Sequence, residues 1–494
     1  MDITLITFSP EMIEIGVRYL NSFLKNNGVK TREIHLALNL AKENPNFENL
    51  YEQINPLVRD SQFVGLSYSS SYASMAFKIS QLLKKHLPNT TLIHGGVHPT
   101  IATEESLQYA DFVCVGEGEN TLLNLIKNKA DRNYVENIQG LFSKKHKNKT
   151  INKTGIKWIS NLDQLPFPHY GYEEVYIRIN SSIIAAEKDM FKKHFKGTYY
   201  IIGSRGCPFN CSYCFNGNPT YSSRDSNKVR FYRKRTLKNI IAELAHAKIN
   251  FKVDRVIFED DDFMDREDEE IKVFAEWYEE SINLPFSICA TFRNTNRAKT
   301  EILSKYLYRV IIGIQSANEN ILKMYHRKLD KQKVLETTKL MIEYKIPIFY
   351  DIIIENPWER DEDKTITVEF LNTLPKKNVF IRLFKLQLFP GTQLYKKALE
   401  ENIPIDKIKP YSVWEVSALN TLYLLSSSFR LPVGIFKYFC LFRNASGVNV
   451  ILKNLCIPIQ FVVFVRRLIF HIRRGNRTSI FQYKQLFLSK IKFY

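Results

Sequence analysis

YYIIGSRGCPFNCSYC, residues 199–214, decides how this chain reads. Its first part, Tyr199–Gly203, is an apolar run of strand length that ends in glycine. Its second part sets three cysteines, Cys207, Cys211 and Cys214, within one short loop. Three thiolates this close can hold three corners of a cubane iron–sulfur cluster. A [4Fe–4S] cluster normally takes four cysteines, so three leave one iron open to a substrate or cofactor. A zinc site asks for a fourth Cys or His at short range; Cys289 and His326 follow only at a distance and in no paired motif. A disulfide framework does not suit seven cysteines in a long chain without a secretory signal. The other four, Cys114, Cys289, Cys440 and Cys456, lie among apolar residues and read as buried thiols.

Upstream of the loop, strand-like and helix-like stretches alternate. Asp2–Phe8, Phe63–Tyr68, Thr91–His94 and Asp111–Val115 read as strands, with a weaker one at Thr31–Leu36. Pro10–Asn26, Tyr72–His86, Glu104–Tyr109 and Asn120–Lys127 read as helices. Repeated βα units of this length imply a parallel sheet covered by helices on both faces. Such a sheet binds ligands at the carboxyl ends of its strands. Three strand tips carry glycines and hydroxyls: Gly65 to Ser71 with Ser67 and Ser69, Gly95-Gly96, and Gly116-Glu117-Gly118. Glycine lets backbone approach a bulky ligand, and serine adds small hydrogen-bonding groups.

Downstream, strand-and-tip pairs recur: Arg255–Phe258, Ser287–Ala290, Val310–Ile314, Phe349–Ile354 and Phe384–Phe389. Parallel strands of a barrel present their functional groups from the carboxyl ends. Arg293, at one such tip, has the charge to bind a carboxylate. Residues 144–153 read as a polar hairpin tip, and Leu162–Pro168 as an extended, proline-punctuated linker.

The cysteine spacing resembles that of the radical S-adenosylmethionine (SAM) enzymes, and residues 1–145 resemble the cobalamin-binding domain that precedes many of them. The resemblance implies an α/β chain. A doubly wound, Rossmann-like parallel sheet (1–145) is followed by a connector (146–195), a partial (β/α)6 TIM-type barrel (196–415) and a basic, amphipathic, helical C-terminal region (416–494). It implies that Cys207, Cys211 and Cys214 hold a [4Fe–4S] cluster whose free iron takes SAM, and that cobalamin binds at Ser67, Ser69, Gly95, Gly96, Gly116, Glu117 and Gly118. By the same resemblance Tyr213 lies beside the SAM adenine, Asp260 and Asp261 occupy a paired-acid element near SAM or substrate, and Gln315 and Ser316 contact the SAM ribose or carboxylate. No Asp-x-His-x-x-Gly motif surrounds His35, His86, His94 or His98, so cobalamin would lack a histidine below its cobalt. The fifth tip reads Glu355-Asn356-Pro357-Trp358-Glu359, with Glu355 and Trp358 where the family's commoner pattern has glycines.

The implied reaction is reductive SAM cleavage followed by modification, by methylation first of all, of an unactivated carbon. The alternatives are a radical SAM oxidoreductase or cyclase that does not use cobalamin, and a non-catalytic iron–sulfur carrier. A flavodoxin- or ferredoxin-type electron donor and a small-molecule or lipid-like substrate are the expected partners. The 494 residues carry a formal charge of +19, yet no acidic residue follows Glu415, while twelve Lys and Arg lie from Arg430 onward. Alternating apolar and basic blocks there suit peripheral contact with a membrane's inner face. No nucleic-acid module accompanies the charge, no run reaches the length of a spanning helix, and the N-terminus lacks a leader pattern. A cytoplasmic protein is expected.

Overall fold

Period-two alternation builds the first sheet. Ile3 and Leu5 of β1 (Ile3–Thr7) face one core, and Ile6 with the following Phe8 faces another. The computed structural model describes residues 1–9, 14–38, 45–128, 135, 137–143, 156, 158–188, 197–217, 231–406, 417–429, 432–442 and 446–473. The polar hairpin expected at 144–153 lies outside the described residues. Internal packing divides the chain into two units. The first holds Met1–Asp261, Trp277–Ile282 and Gln387–Pro410; the second holds Asp262–Glu276, Asn283–Leu386 and Tyr411–Tyr494.

In the first unit, β2 (Thr31–His35), β3 (Phe63–Ser67), β4 (Thr91–Gly95), β5 (Phe112–Cys114), β6 (Leu141–Ser143), β7 (Val175–Ile179) and β8 (Ser182–Ala185) join β1 in one sheet. Its order is β6-β5-β4-β3-β1-β2-β7-β8, parallel except at the two antiparallel edges, β6 and β8. Strand order reverses at β1, which lies between β2 and β3. One face is covered by the helices Phe47–Val58 and Ala73–His86, through Leu50, Ile54, Ala76 and Ile79. The other is covered by Ile15–Asn26 and Gly118–Lys127, through Val17, Leu24, Leu122 and Leu125. Both faces are buried, as a parallel sheet requires.

The sheet does not stop near residue 145. β7 pairs in parallel with β2, and Trp158, Ile159, Leu162 and Leu165 are core residues, so much of the expected connector is part of the domain. Leu162–Gln164 forms a short 3-10 turn inside the stretch read as extended.

The second sheet is the barrel-type element. Its first two strands, β9 (Thr198–Ile201) and β12 (Arg255–Phe258), pair in parallel in the first unit, with the short antiparallel pair β10 (Ser204–Arg205) and β11 (Arg233–Lys234) between them in sequence. The other four, β13 (Phe286–Ala290), β14 (Leu307–Gln315), β15 (Ile348–Ile354) and β16 (Val379–Lys385), run parallel in chain order in the second unit. β16 starts earlier than expected, with the buried run Val379–Ile381, and Leu386 continues it by donating its N–H to the Ile354 carbonyl at 2.9 Å. Cys114, Cys440 and Cys456 are buried as expected, whereas Cys289, on β13, is half-buried.

The chain ends in the helices Ala418–Phe429, Val433–Phe442 and Ser446–Arg473, packed on one another and on the helix Asp361–Thr373. Ile34 is fully buried in the first core. Replacing it by Ala should lower the guanidinium unfolding free energy by roughly 2–5 kcal/mol; an unchanged midpoint would contradict this packing.

Candidate active site

The cysteine loop begins where β9 ends, and Asp260, beyond β12, fixes that junction. One Asp260 oxygen accepts the Gly203 N–H at 2.9 Å, and the other accepts the Ser204 hydroxyl at 2.5 Å. Gly206 then adopts φ +84, and any Cβ there would come within 2.4 Å of the Phe231 carbonyl oxygen, so only glycine can open the loop. Cys211 is buried, while Cys207 and Cys214 are half-buried. The Cys214 N–H donates to the Cys211 carbonyl at 3.1 Å, closing a tight turn. Burial first, and then Asp261, Cys214 and Cys211, push the Cys207 thiol above the usual range. Thiols so placed become thiolates when a metal supplies the missing positive charge. Among the described residues no three Cys, His, Asp or Glu side chains converge on a single ion position. A cubane binds each thiolate to a different iron, so its ligands need not converge, and the donor set fits a cluster.

Facing this loop, within the same unit, are the tips of the first sheet. A cavity of about 430 Å³ lies between them. From the sheet it is lined by Gly65, Ser67, Gly95, Gly96, Gly116, Glu117 and Gly118; from the loop side by Arg205, Gly206, Phe215, Asn216, Phe231, Arg233 and Asp261. Gly96 has φ +92, with only 3.0 Å between a Cβ placed there and the Tyr68 backbone. The size is that of a cofactor pocket, and the glycine floor fits cobalamin.

No described lining residue is a histidine. His94 is held by the Tyr68 hydroxyl at 2.9 Å and Ser80 at 2.7 Å, and His35 by Glu33 at 2.8 Å and Thr7 at 3.3 Å. His98 is buried against Ser70, and His86 stacks on Tyr51.

The two sides of the cavity are joined by ion pairs. Glu117 accepts Arg205 and Arg233 at 3.0 Å each, and also the Ile159 N–H at 2.7 Å. Glu119 takes the second Arg205 nitrogen at 2.7 Å. Beside them, Tyr19 and Tyr199 both donate to Glu243 at 3.0 Å, and Arg235 pairs with Glu243 at 2.6 Å.

Several of the expected ligand residues make internal contacts. Glu117 lines the cavity, but its oxygens belong to the two arginines. Asp260 serves the strand tip, whereas Asp261 lines the cavity and accepts Asn216 at 2.9 Å. Ser69 precedes the 3-10 turn Ser70–Tyr72 and is outside the cavity lining, as is the half-buried Tyr213.

In the second unit, Arg293 is exposed beyond β13. Gln315 ends β14 at a register shift with φ +69, and its side-chain oxygen is buried without a hydrogen-bond partner among the described residues. Ser316 is 1 % exposed, with its hydroxyl bonded to Thr367 at 3.2 Å and accepting the Asn318 N–H at 3.2 Å. Ser316 follows the register shift at Gln315 and is buried within the second unit. Glu355 also has positive φ and pairs with Lys385 at 3.4 Å.

The comparisons agree with this arrangement. The B12 binding domain family matches residues 1–126, and the Radical SAM superfamily matches residues 201–366. The chain is 22 % identical over 426 residues to an uncharacterized methyltransferase of Pyrococcus horikoshii, covering 82 % of this chain and 85 % of that protein. It is 23 % identical over 408 residues to the bacteriochlorophyllide d C-8(2)-methyltransferase of Chlorobaculum tepidum, covering 79 % and 78 %. The structure of the cobalamin-dependent SAM radical enzyme OxsB, with aqua-cobalamin and SAM bound, superimposes with TM-score 0.65 at 14 % identity over 99 % of this chain and 84 % of that one. The radical SAM methyltransferase TsrM of Kitasatospora setae, with tryptophan and a SAM analogue bound, gives 0.61 at 13 % over 81 % and 76 %. At these identities the structural likeness speaks to fold.

Burial raises the Glu117 carboxyl pKa, but Arg205 and Arg233 more than offset it, so the pKa ends below its ordinary 4.5. A carboxylate held down in this way stabilises the fold above its unfolded value and loses that contribution as pH falls through the folded one. The wild-type melting temperature should therefore fall below about pH 4.5 more steeply than that of Glu117→Gln. At neutral pH the variant should be less stable by about 3–5 kcal/mol. Parallel pH profiles would remove Glu117 from this role.

Proposed function

With the chain now established as a radical SAM enzyme with an N-terminal B12-binding domain, we propose that it methylates an unactivated carbon of a small-molecule or lipid-like substrate. The observation that carries this reading is the single cavity shared by the glycine tips of the first sheet and the cysteine-loop region. When bound, the cluster supplies the electron that cleaves SAM, and cobalamin carries the methyl group.

The remaining roles fall to the chain. Cys207, Cys211 and Cys214 hold the cluster and leave one iron open. Gln315 offers its orphaned oxygen to a donor on SAM, and the exposed Arg293 is the residue for the SAM carboxylate. Gly95, Gly96, Gly116 and Gly118 let cobalamin lie against backbone. Ser67 contributes the hydroxyl on that floor. Asp261 keeps Asn216 at the cavity wall. Phe215, Phe231 and Trp158 line the cavity and exclude water, which protects a carbon radical from side reactions. A flavodoxin- or ferredoxin-type protein supplies the electron.

Cysteine and cavity variants separate the two halves of this reading. Cys211→Ala should abolish the cluster absorbance and the formation of 5′-deoxyadenosine. A Cβ at Gly95 would meet no protein atom closer than 3.9 Å and the position carries no positive φ, so Gly95→Leu should enter the cavity without backbone strain. It should weaken cobalamin binding at least about tenfold and abolish methyl transfer, yet leave SAM cleavage intact. Wild-type cobalamin affinity in Gly95→Leu would show that cobalamin does not sit there.

A further inference from the structure

The last two helices carry apolar residues on the wrong side. Val433–Phe442 buries Phe436 and Cys440, one helical turn apart, and so has its inward face supplied. Its outward face nevertheless presents Ile435, Tyr438, Leu441 and Phe442, with Tyr438 59 % and Leu441 71 % exposed. Ser446–Arg473 repeats the pattern. Leu452, Cys456, Ile459 and Val463 form a buried stripe at helical spacing, and Thr421 of Ala418–Phe429 donates to the Leu452 carbonyl at 2.9 Å. Val450, Ile451, Leu455, Phe461 and Val462 remain exposed. A surface helix normally turns polar residues outward. Here the core is satisfied from within, and a second apolar surface is left over. Exposed apolar area on this scale marks an interaction site.

Charge selects the occupant. Lys437 and Lys453 are exposed among these apolar residues, and the sequence beyond Glu415 holds twelve Lys and Arg and no Asp or Glu. A second copy of the same face would match the apolar residues but repel by charge. Nucleic acid would match the charge but give Leu441 and Phe442 nothing to bury against. A bilayer surface with anionic headgroups satisfies both, with aliphatic and aromatic side chains in the acyl boundary and lysines among the headgroups. Among the described residues no helix is long and apolar enough to cross a membrane, so the geometry is in-plane contact.

We propose that the outward faces of Val433–Phe442 and Ser446–Arg473 dock this enzyme on an anionic membrane surface, independently of the reaction it performs. The test is flotation of the full chain, anaerobically reconstituted, with phosphatidylcholine vesicles with and without phosphatidylglycerol. The wild type should float only with phosphatidylglycerol, and less as salt rises. Leu441→Glu/Phe442→Glu should lose at least about tenfold in bound fraction while keeping the wild-type melting temperature and 5′-deoxyadenosine yield. Lys437→Gln/Lys453→Gln should lose part of the binding. Absence of wild-type flotation with phosphatidylglycerol would overturn the proposal, as would equal flotation of the Leu441/Phe442 variant. A lipid-free dimer that this variant splits, seen by light scattering, would also overturn it by giving the face to a second copy.

Discussion

Buried carboxylates at the tip of β5 require cations, and the cations come from across the cavity. Glu117 and Glu119 are held by Arg205 and Arg233, which belong to the short β10–β11 pair adjoining the cysteine loop. Removing either sign would strand the other in a low-dielectric site, at a cost of several kcal/mol. The pairs therefore fix the spacing between two surfaces that each have their own reason to exist. One is the glycine floor of a doubly wound sheet; the other is a loop of three thiols. Asp260, Gly206 and the Tyr19–Glu243–Tyr199 cluster tighten the same junction.

The second unit contributes differently. Its tips are not locked by ion pairs alone but carry backbone strain. Gln315 and Glu355 both sit at the carboxyl ends of parallel strands in the left-handed region that non-glycine residues avoid. Gln315 combines this with a buried acceptor that has no hydrogen-bond partner among the described residues. Glu355, where the commoner family pattern places glycine, is paired to Lys385. Strain of this kind persists only where the surrounding structure over-determines it.

The sequence was legible where function leaves a local imprint. Glycines at strand ends and a dense cysteine loop are local, and the structure places the glycines within β3 and at the tips of β4 and β5, and the loop after β9. What escaped was non-local. Arg205 and Arg233 lie 88 and 116 residues from Glu117, so nothing near Glu117 announced that its charge was already engaged. Ser316 matched a motif position, and nothing near it announced that its hydroxyl is buried against Thr367, 51 residues away. β7 was hidden because its partner, β2, precedes it by well over a hundred residues. The C-terminal helices showed their charge in sequence, but which apolar residues stay outside depends on packing.

The first sheet's dependence on its neighbours limits how evolution and engineering can treat it. β7 completes the sheet from a stretch beyond the B12-binding match, and β11 supplies a guanidinium to its third tip. A fragment cut at the end of that match would keep the glycine floor but lose an inner strand and the counterions of two buried acids. The cofactor half is therefore not an exchangeable cassette. Its sheet and its buried acids depend on β7 and on the β10–β11 arginines, so recombination between relatives should be tolerated best at crossovers that keep these together.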